Sequence, residues 1–200
     1  MNALVKAYYA LHNSLLTPLR HLDGLAPLAI RLYLAPVFLL AGSGKIANMD
    51  NTIEWFGNSE WGLALPFPEL LAPLAAYTEF IGALFLLAGL AVRWVSIPLM
   101  VTMLVAAITV HWGNGWAAIA DSSAQDVALR LGEAKEILRE HGNYHWLTEK
   151  GNFVILNNGI EFAATYFIML LALLCMGGGR YLSADYFISR LYPPPSKPSL

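Results

Sequence analysis

The sequence predicts an all-α membrane protein: a four-transmembrane-helix bundle with an N-terminal amphipathic helix and a second amphipathic helix in the loop between the third and fourth spans. Three observations predict it. Apolar residues make up 57% of the 200 positions and charged residues only 13%. Mean hydropathy is +0.52, well above that of an ordinary soluble domain. Four apolar runs each approach the ~20 helical residues that a hydrocarbon layer requires.

Residues 1–24 form the first element. Leu4, Tyr8, Leu11, Leu15, Leu19 and Leu22 recur at helical spacing, while Lys6, His12, Asn13 and Arg20 interrupt any continuous apolar core. That pattern fits a helix over residues 3–22 lying on the membrane surface, and not a cleaved signal peptide. Asp23, Gly24 and Pro27 then turn the chain into the bilayer.

The membrane domain follows over residues 25–179, with spans at about 25–44, 68–92, 94–112 and 153–176. Little more than Arg93 separates the second from the third, so these two form a tight antiparallel hairpin. The loop before the second span mixes Trp55, Phe56 and Trp61 with Asp50, Glu54 and Glu60, suited to the headgroup level or to capping the bundle. In the loop before the fourth, Val127, Leu131, Ala134 and Leu138 make an apolar stripe over about residues 122–141, capped by Asp121 or Ser122 and stopped by Gly142. Its charges, Arg130, Glu133, Lys135, Glu136, Arg139 and Glu140, read as a solvated face. Residues 180–200 are a C-terminal tail, and PPPSKPSL at its end is too proline-rich and polar to pack.

An even number of spans puts both termini on one side. Lys6, Arg20, Arg93, Arg180, Arg190 and Lys197 share that side against Lys45, Arg130, Lys135, Arg139 and Lys150 on the other. The longer loop dilutes its own positives, which favours cytoplasmic termini in a bacterial inner membrane. A formal net charge of −2 without a basic run gives no footing for nucleic acid. The single cysteine, Cys175, has no internal disulfide partner and reads as a small buried hydrophobe.

Each span carries polar chemistry: Arg31 and Lys45 on the first, Glu79 on the second, His111 on the third and Glu161 on the fourth. Helical spacing groups Arg31, Ala35, Phe38, Gly42 and Lys45; Ala72, Ala76, Glu79, Ala83 and Gly89; Ser96, Met103, Ala107 and His111; and Asn157, Glu161, Ala164, Ile168 and Cys175. Every ionisable residue thus falls on an expected interior face. At ~1.5 Å per residue, Glu79 lies about 14 Å below Leu70 and Glu161 about 12 Å below Phe153. Helical side chains lean toward their N-termini, so both carboxylates lean toward the loop side while Lys45 and His111 lean down to meet them. Arg31, about 21 Å from Lys45, leans the other way and either snorkels or floors a polar shaft.

Two readings follow. Intramembrane acids are a functional-site hypothesis by default, which makes Lys45, Glu79, His111, Glu161, Asn157 and Arg31 a candidate ligand site with Glu79 and Glu161 handling protons. The same charges could instead neutralise one another as a network that fixes helix register. No metal is expected: His141 and His145, near Glu140 and Glu149, are separated by the helix breakers Gly142 and Asn143. Gly42 and Gly44 before Lys45 lack the spacing and preceding strand of a phosphate loop, and Trp112 and Trp116 suit interface anchors.

RLYLAPVFLLAGSGKI on the first span, PELLAPLAAYTEFIGALFLLAGL on the second, the histidine closing the third, and GIEFAATYFIMLLALLCMGGGRYLSADYF at the end together resemble the DoxX family over roughly residues 28–187. The resemblance implies a four-helix integral membrane protein. It is less specific about activity, because the family's relatives include the membrane subunit of a thiosulfate:quinone oxidoreductase and components of thiol-stress oxidoreductase complexes, but also an assembly chaperone and a cargo receptor. The expectation is a quinone-linked redox component, with His111 and Lys45 donating to the quinone carbonyls. No haem, flavin, iron–sulfur or metal signature is present, so a protein partner or bound substrate would supply the electrons. The alternative is a non-enzymatic assembly factor, partner-binding subunit or small-molecule carrier.

Overall fold

The computed structural model describes residues 2–193. The proline-rich tail, expected not to pack, lies outside the described residues except for Pro193. Among the described residues the chain is all-helical, with one isolated antiparallel bridge between Ile119 and Leu156. The helices are α1 (Ala3–Leu16), α2 (Leu25–Ala47), α3 (Met49–Gly57), α4 (Pro68–Ala88), α5 (Val92–Ala106), α6 (Gln125–His141), α7 (Tyr144–Leu147), α8 (Glu161–Met176) and α9 (Ala184–Leu191). Three are long and apolar enough to cross a membrane: Leu25–Ala47, Pro68–Ala88, and Val92–Asn114, the last being α5 with its π and 3-10 extensions. The fourth apolar helix, α8, has 16 residues and falls short of that length.

Two compact units emerge, one of residues up to Thr102 together with those from Tyr166 onward, the other Met103–Thr165. In the first, α2 packs along α4, and α3 folds back onto α4. The reason lies in small residues. A Cβ on Gly42 would stand 2.6 Å from Phe80 N and 2.8 Å from Ala76 O, so the two helix backbones nearly touch there. Ala35 on one side and Ala72, Ala76 and Ala83 on the other are buried. Between apolar helices in lipid, such close approach supplies the dispersion contacts that hydrophobic burial supplies in water. Leu34, Phe38, Leu86, Leu99, Leu170 and Leu173 complete the core.

Helix ends follow local chemistry. Pro68 opens α4 at a position where its missing N–H costs nothing. Gly89, at φ +63°, closes the same helix. Its N–H donates to Leu86 O and that of Leu90 to Phe85 O, the Schellman arrangement that lets the chain reverse into α5.

In the second unit, residues 115–120 run as a strap against 155–161. Ala118 O accepts from the amides of Asn157 and Asn158, Ala117 O from Gly159, Gly115 O from Ile160 and Trp116 O from Glu161. A Cβ on Gly159 would approach three of these carbonyls within 2.5–2.7 Å, so only glycine fits under the strap. Ala118, Ala120 and Ala163 are its buried residues.

Several element boundaries differ from expectation. Residues 153–159 are not the first two turns of a helix; Asn158 at φ +58° and Gly159 break the chain, and α8 begins at Glu161. The depth counted from Phe153 therefore does not apply to Glu161. The inward stripe of α8 also differs: Ile168 and Cys175 are exposed, while Leu170 and Leu173 are buried. The N-terminal helix stops at Leu16 and continues as a 3-10 turn, Pro18–Leu22, while the loop helix begins at Gln125. Residues 49–57, expected as loop, are helical.

Candidate functional site

Within the first unit, α2 and α4 bring two of the expected residues together. Lys45, in the last turn of α2, forms an ion pair through Nζ with Glu79 Oε2 on α4. Glu79 is buried, at 6% side-chain exposure, and Lys45 is one-quarter exposed. The pair exists because Gly42, one turn before Lys45, allows α2 to sit against α4 at Ala76 and Phe80. An ionisable pair between apolar helices is the kind of feature that marks a candidate functional site.

Arg31, two-thirds of the way toward the other end of α2, is 1% exposed. Its partners are backbone oxygens. Nη1 donates to Leu86 O at 3.2 Å and Leu182 O at 3.1 Å, while Nη2 donates to Tyr181 O at 2.8 Å and Leu182 O at 3.1 Å. Asp185 completes this end of the unit by capping α5: Oδ1 accepts from Ala91 N at 2.6 Å and Oδ2 from Val92 N at 2.9 Å. Ser183 Oγ donates to Gly89 O at 3.0 Å. The segment from Tyr181 to Asp185 thus meets both Nη groups of a buried guanidinium, whose Nε has no hydrogen-bond partner, and a helix start together. Asp185 and Ser183 were absent from the expected site; the Gly-Arg-Tyr-x-x-x-Asp sequence was their only signal.

The second unit holds the other three. Glu161, first residue of α8, accepts at Oε2 from Ala118 N at 2.9 Å. A carboxylate in the first turn of a helix also meets the positive end of its dipole. His111 ends a π-helical stretch, Ala107–His111, a helix irregularity frequent at functional sites. Its Nδ1 lies 2.8 Å from Asn158 O. A carbonyl only accepts, so Nδ1 carries the proton and Nε2 is left to accept or take up another. Asn114 Nδ2 donates to the same oxygen at 3.2 Å. Asn157 contributes through its backbone amide, which donates to Ala118 O.

With this geometry in place, comparison with known proteins is informative. A stretch of this chain, residues 26–112, matches the model of the DoxX family. It includes Arg31, Lys45, Glu79 and His111 and ends before the strap and α8. A stretch of 83 residues is 31% identical to a protein of Bacillus subtilis (strain 168) named "Putative oxidoreductase CatD". The match takes in 42% of this chain and 58% of that relative, so the chain spans less than two thirds of the relative's length. No solved structure matches. The DoxX match and the long apolar helices together make this an integral membrane protein.

Proposed function

We propose that this protein is a quinone-linked redox component of a bacterial inner membrane, with Lys45 and Glu79 as the centre of its site. The observation that carries the reading is the Lys45–Glu79 pair, its carboxylate buried, between two membrane-spanning helices and inside the stretch that matches the DoxX family. The oxidoreductase named above supports it by similarity. Reducing a quinone to its quinol consumes two electrons and two protons. Lys45 Nζ would donate to a head-group carbonyl, and Glu79 would relay the protons. The electrons would come from a protein partner or a bound reduced substrate, and grooves between the apolar helices would take the isoprenoid tail. In this reading α8 crosses as the fourth span with its non-helical lead-in supplying the missing length, α1 and α6 lie at the membrane surfaces, and both termini are cytoplasmic.

The test is direct. Protein purified in native lipid nanodiscs should retain extractable quinone at a substantial fraction of one per chain and reduce added quinone with thiosulfate or sulfide, alone or with its copurifying partner. Glu79→Gln should abolish that activity while leaving the protein folded. Absence of both quinone and reduction, with quinone-linked activity in cells unchanged by Glu79→Gln and Glu161→Gln, rejects the redox reading. A second reading, a non-enzymatic assembly factor or carrier, is favoured by the hydrogen bonds that commit Arg31 and Glu161 to backbone groups. One stoichiometric protein copurifying without activity would select it.

A further inference from the structure

Helix α9 is amphipathic, with Asp185 at its start turned into the protein and its apolar face left bare. Its inward group is Asp185, committed to the amides of Ala91 and Val92. Phe187, Ile188 and Leu191 share an apolar arc on another side of the helix, and all three are exposed, Leu191 at 73%. In water this arrangement would be unfavourable by the transfer cost of three large apolar side chains.

Its attachment specifies the depth at which that face lies. Asp185 and Ser183 fasten the helix start to Ala91, Val92 and Gly89, the reversal between two membrane-spanning helices. A chain reversal between spans lies where the hydrocarbon ends. Trp94, 78% exposed at the start of α5, and exposed Arg93 mark the same level, as aromatic and cationic side chains do at bilayer interfaces. On α9 itself Arg190 sits 5.0 Å over the Tyr186 ring, on the polar side of the helix. A lipid surface offers both complements at this depth, acyl chains for the apolar arc and phosphates for Arg93 and Arg190.

We propose that α9 is an interfacial membrane anchor. It lies in the plane of the bilayer at the α4–α5 end of the spans, with Phe187, Ile188 and Leu191 inserted about 5–10 Å into the headgroup–acyl boundary and Arg190 at the phosphates of anionic phospholipids. This does not depend on any redox activity.

The test uses the full chain with Cys175→Ala, carrying Phe187→Cys, Leu191→Cys or Ser189→Cys, labelled with an environment-sensitive fluorophore. It is reconstituted in vesicles of phosphatidylcholine and phosphatidylglycerol. None of the three sites is buried, so the bundle should fold in each case. At 187 and 191 the label should be quenched several-fold more by nitroxide lipids labelled near the headgroup than by those labelled near the terminal methyl. It should also be protected several-fold from aqueous iodide relative to 189. Arg190→Gln should reduce that protection only when the vesicles contain phosphatidylglycerol. Equal iodide quenching at 187, 189 and 191 would overturn the proposal. So would protection that disappears when the protein is diluted in lipid, which would assign the face to a second copy.

Discussion

Arg31 and Lys45 are two cations on one helix whose charges are met by opposite means. Arg31 is held by the carbonyls of Leu86, Tyr181 and Leu182, groups that neither titrate nor move independently of the backbone. Lys45 is held by Glu79, a side chain that can accept a proton and release it. The first arrangement fixes helix ends; the second has two states available. Arg31 is also sealed, whereas Lys45 retains contact with its surroundings. The difference separates a charge met by fixed backbone groups from one paired with another ionisable side chain.

The largest effect should come from the structural side. Arg31→Met leaves the carbonyls of Leu86, Tyr181 and Leu182 short of a donor and should lower stability by about 2–4 kcal/mol, read as a fall in the melting temperature of the purified protein. Arg31→Lys should recover only part, because an ammonium cannot span the three oxygens as the planar fork does. Equal stability of Arg31→Met and the parent would remove the contrast.

A smaller effect with a distinctive pattern is expected at the pair. Lys45→Met and Glu79→Gln should each destabilise by about 1–3 kcal/mol, the double variant by less than their sum, with a coupling of about 1 kcal/mol or more. Additive losses in thermal unfolding would show that the two side chains do not act together. The smallest loss should follow Asp185→Ala, about 1 kcal/mol for a helix start deprived of its acceptor. Hydrogen exchange should locate it at the amides of Ala91 and Val92, with no change at Lys45 or Glu79.

Much of the first unit was legible in the sequence because helical periodicity maps directly onto packing. Ala35, Phe38 and Gly42 on α2 and Ala72, Ala76 and Ala83 on α4 all face inward as spacing predicts. The same logic placed Glu79 inside. It failed on α8, where it selected Ile168 and Cys175, because an apolar helix in lipid has hydrophobic residues all round and the stripe is ambiguous. The helix start was misread for a related reason. Phe153, Val154, Ile155 and Leu156 are apolar enough to extend a span, yet Asn157, Asn158 and Gly159 break it, and a turn signal outweighs a short apolar run.

By itself the sequence determined that this chain is helical, belongs in a membrane and carries charges within its apolar segments, since hydropathy and a 3.6-residue period are local properties. The tertiary structure alone decided which partner each charge meets. Lys45 with Glu79 is a side-chain pairing between helices far apart in the chain. Arg31 with Leu182 and Glu161 with Ala118 N are pairings with backbone groups, which every residue possesses and no residue type announces.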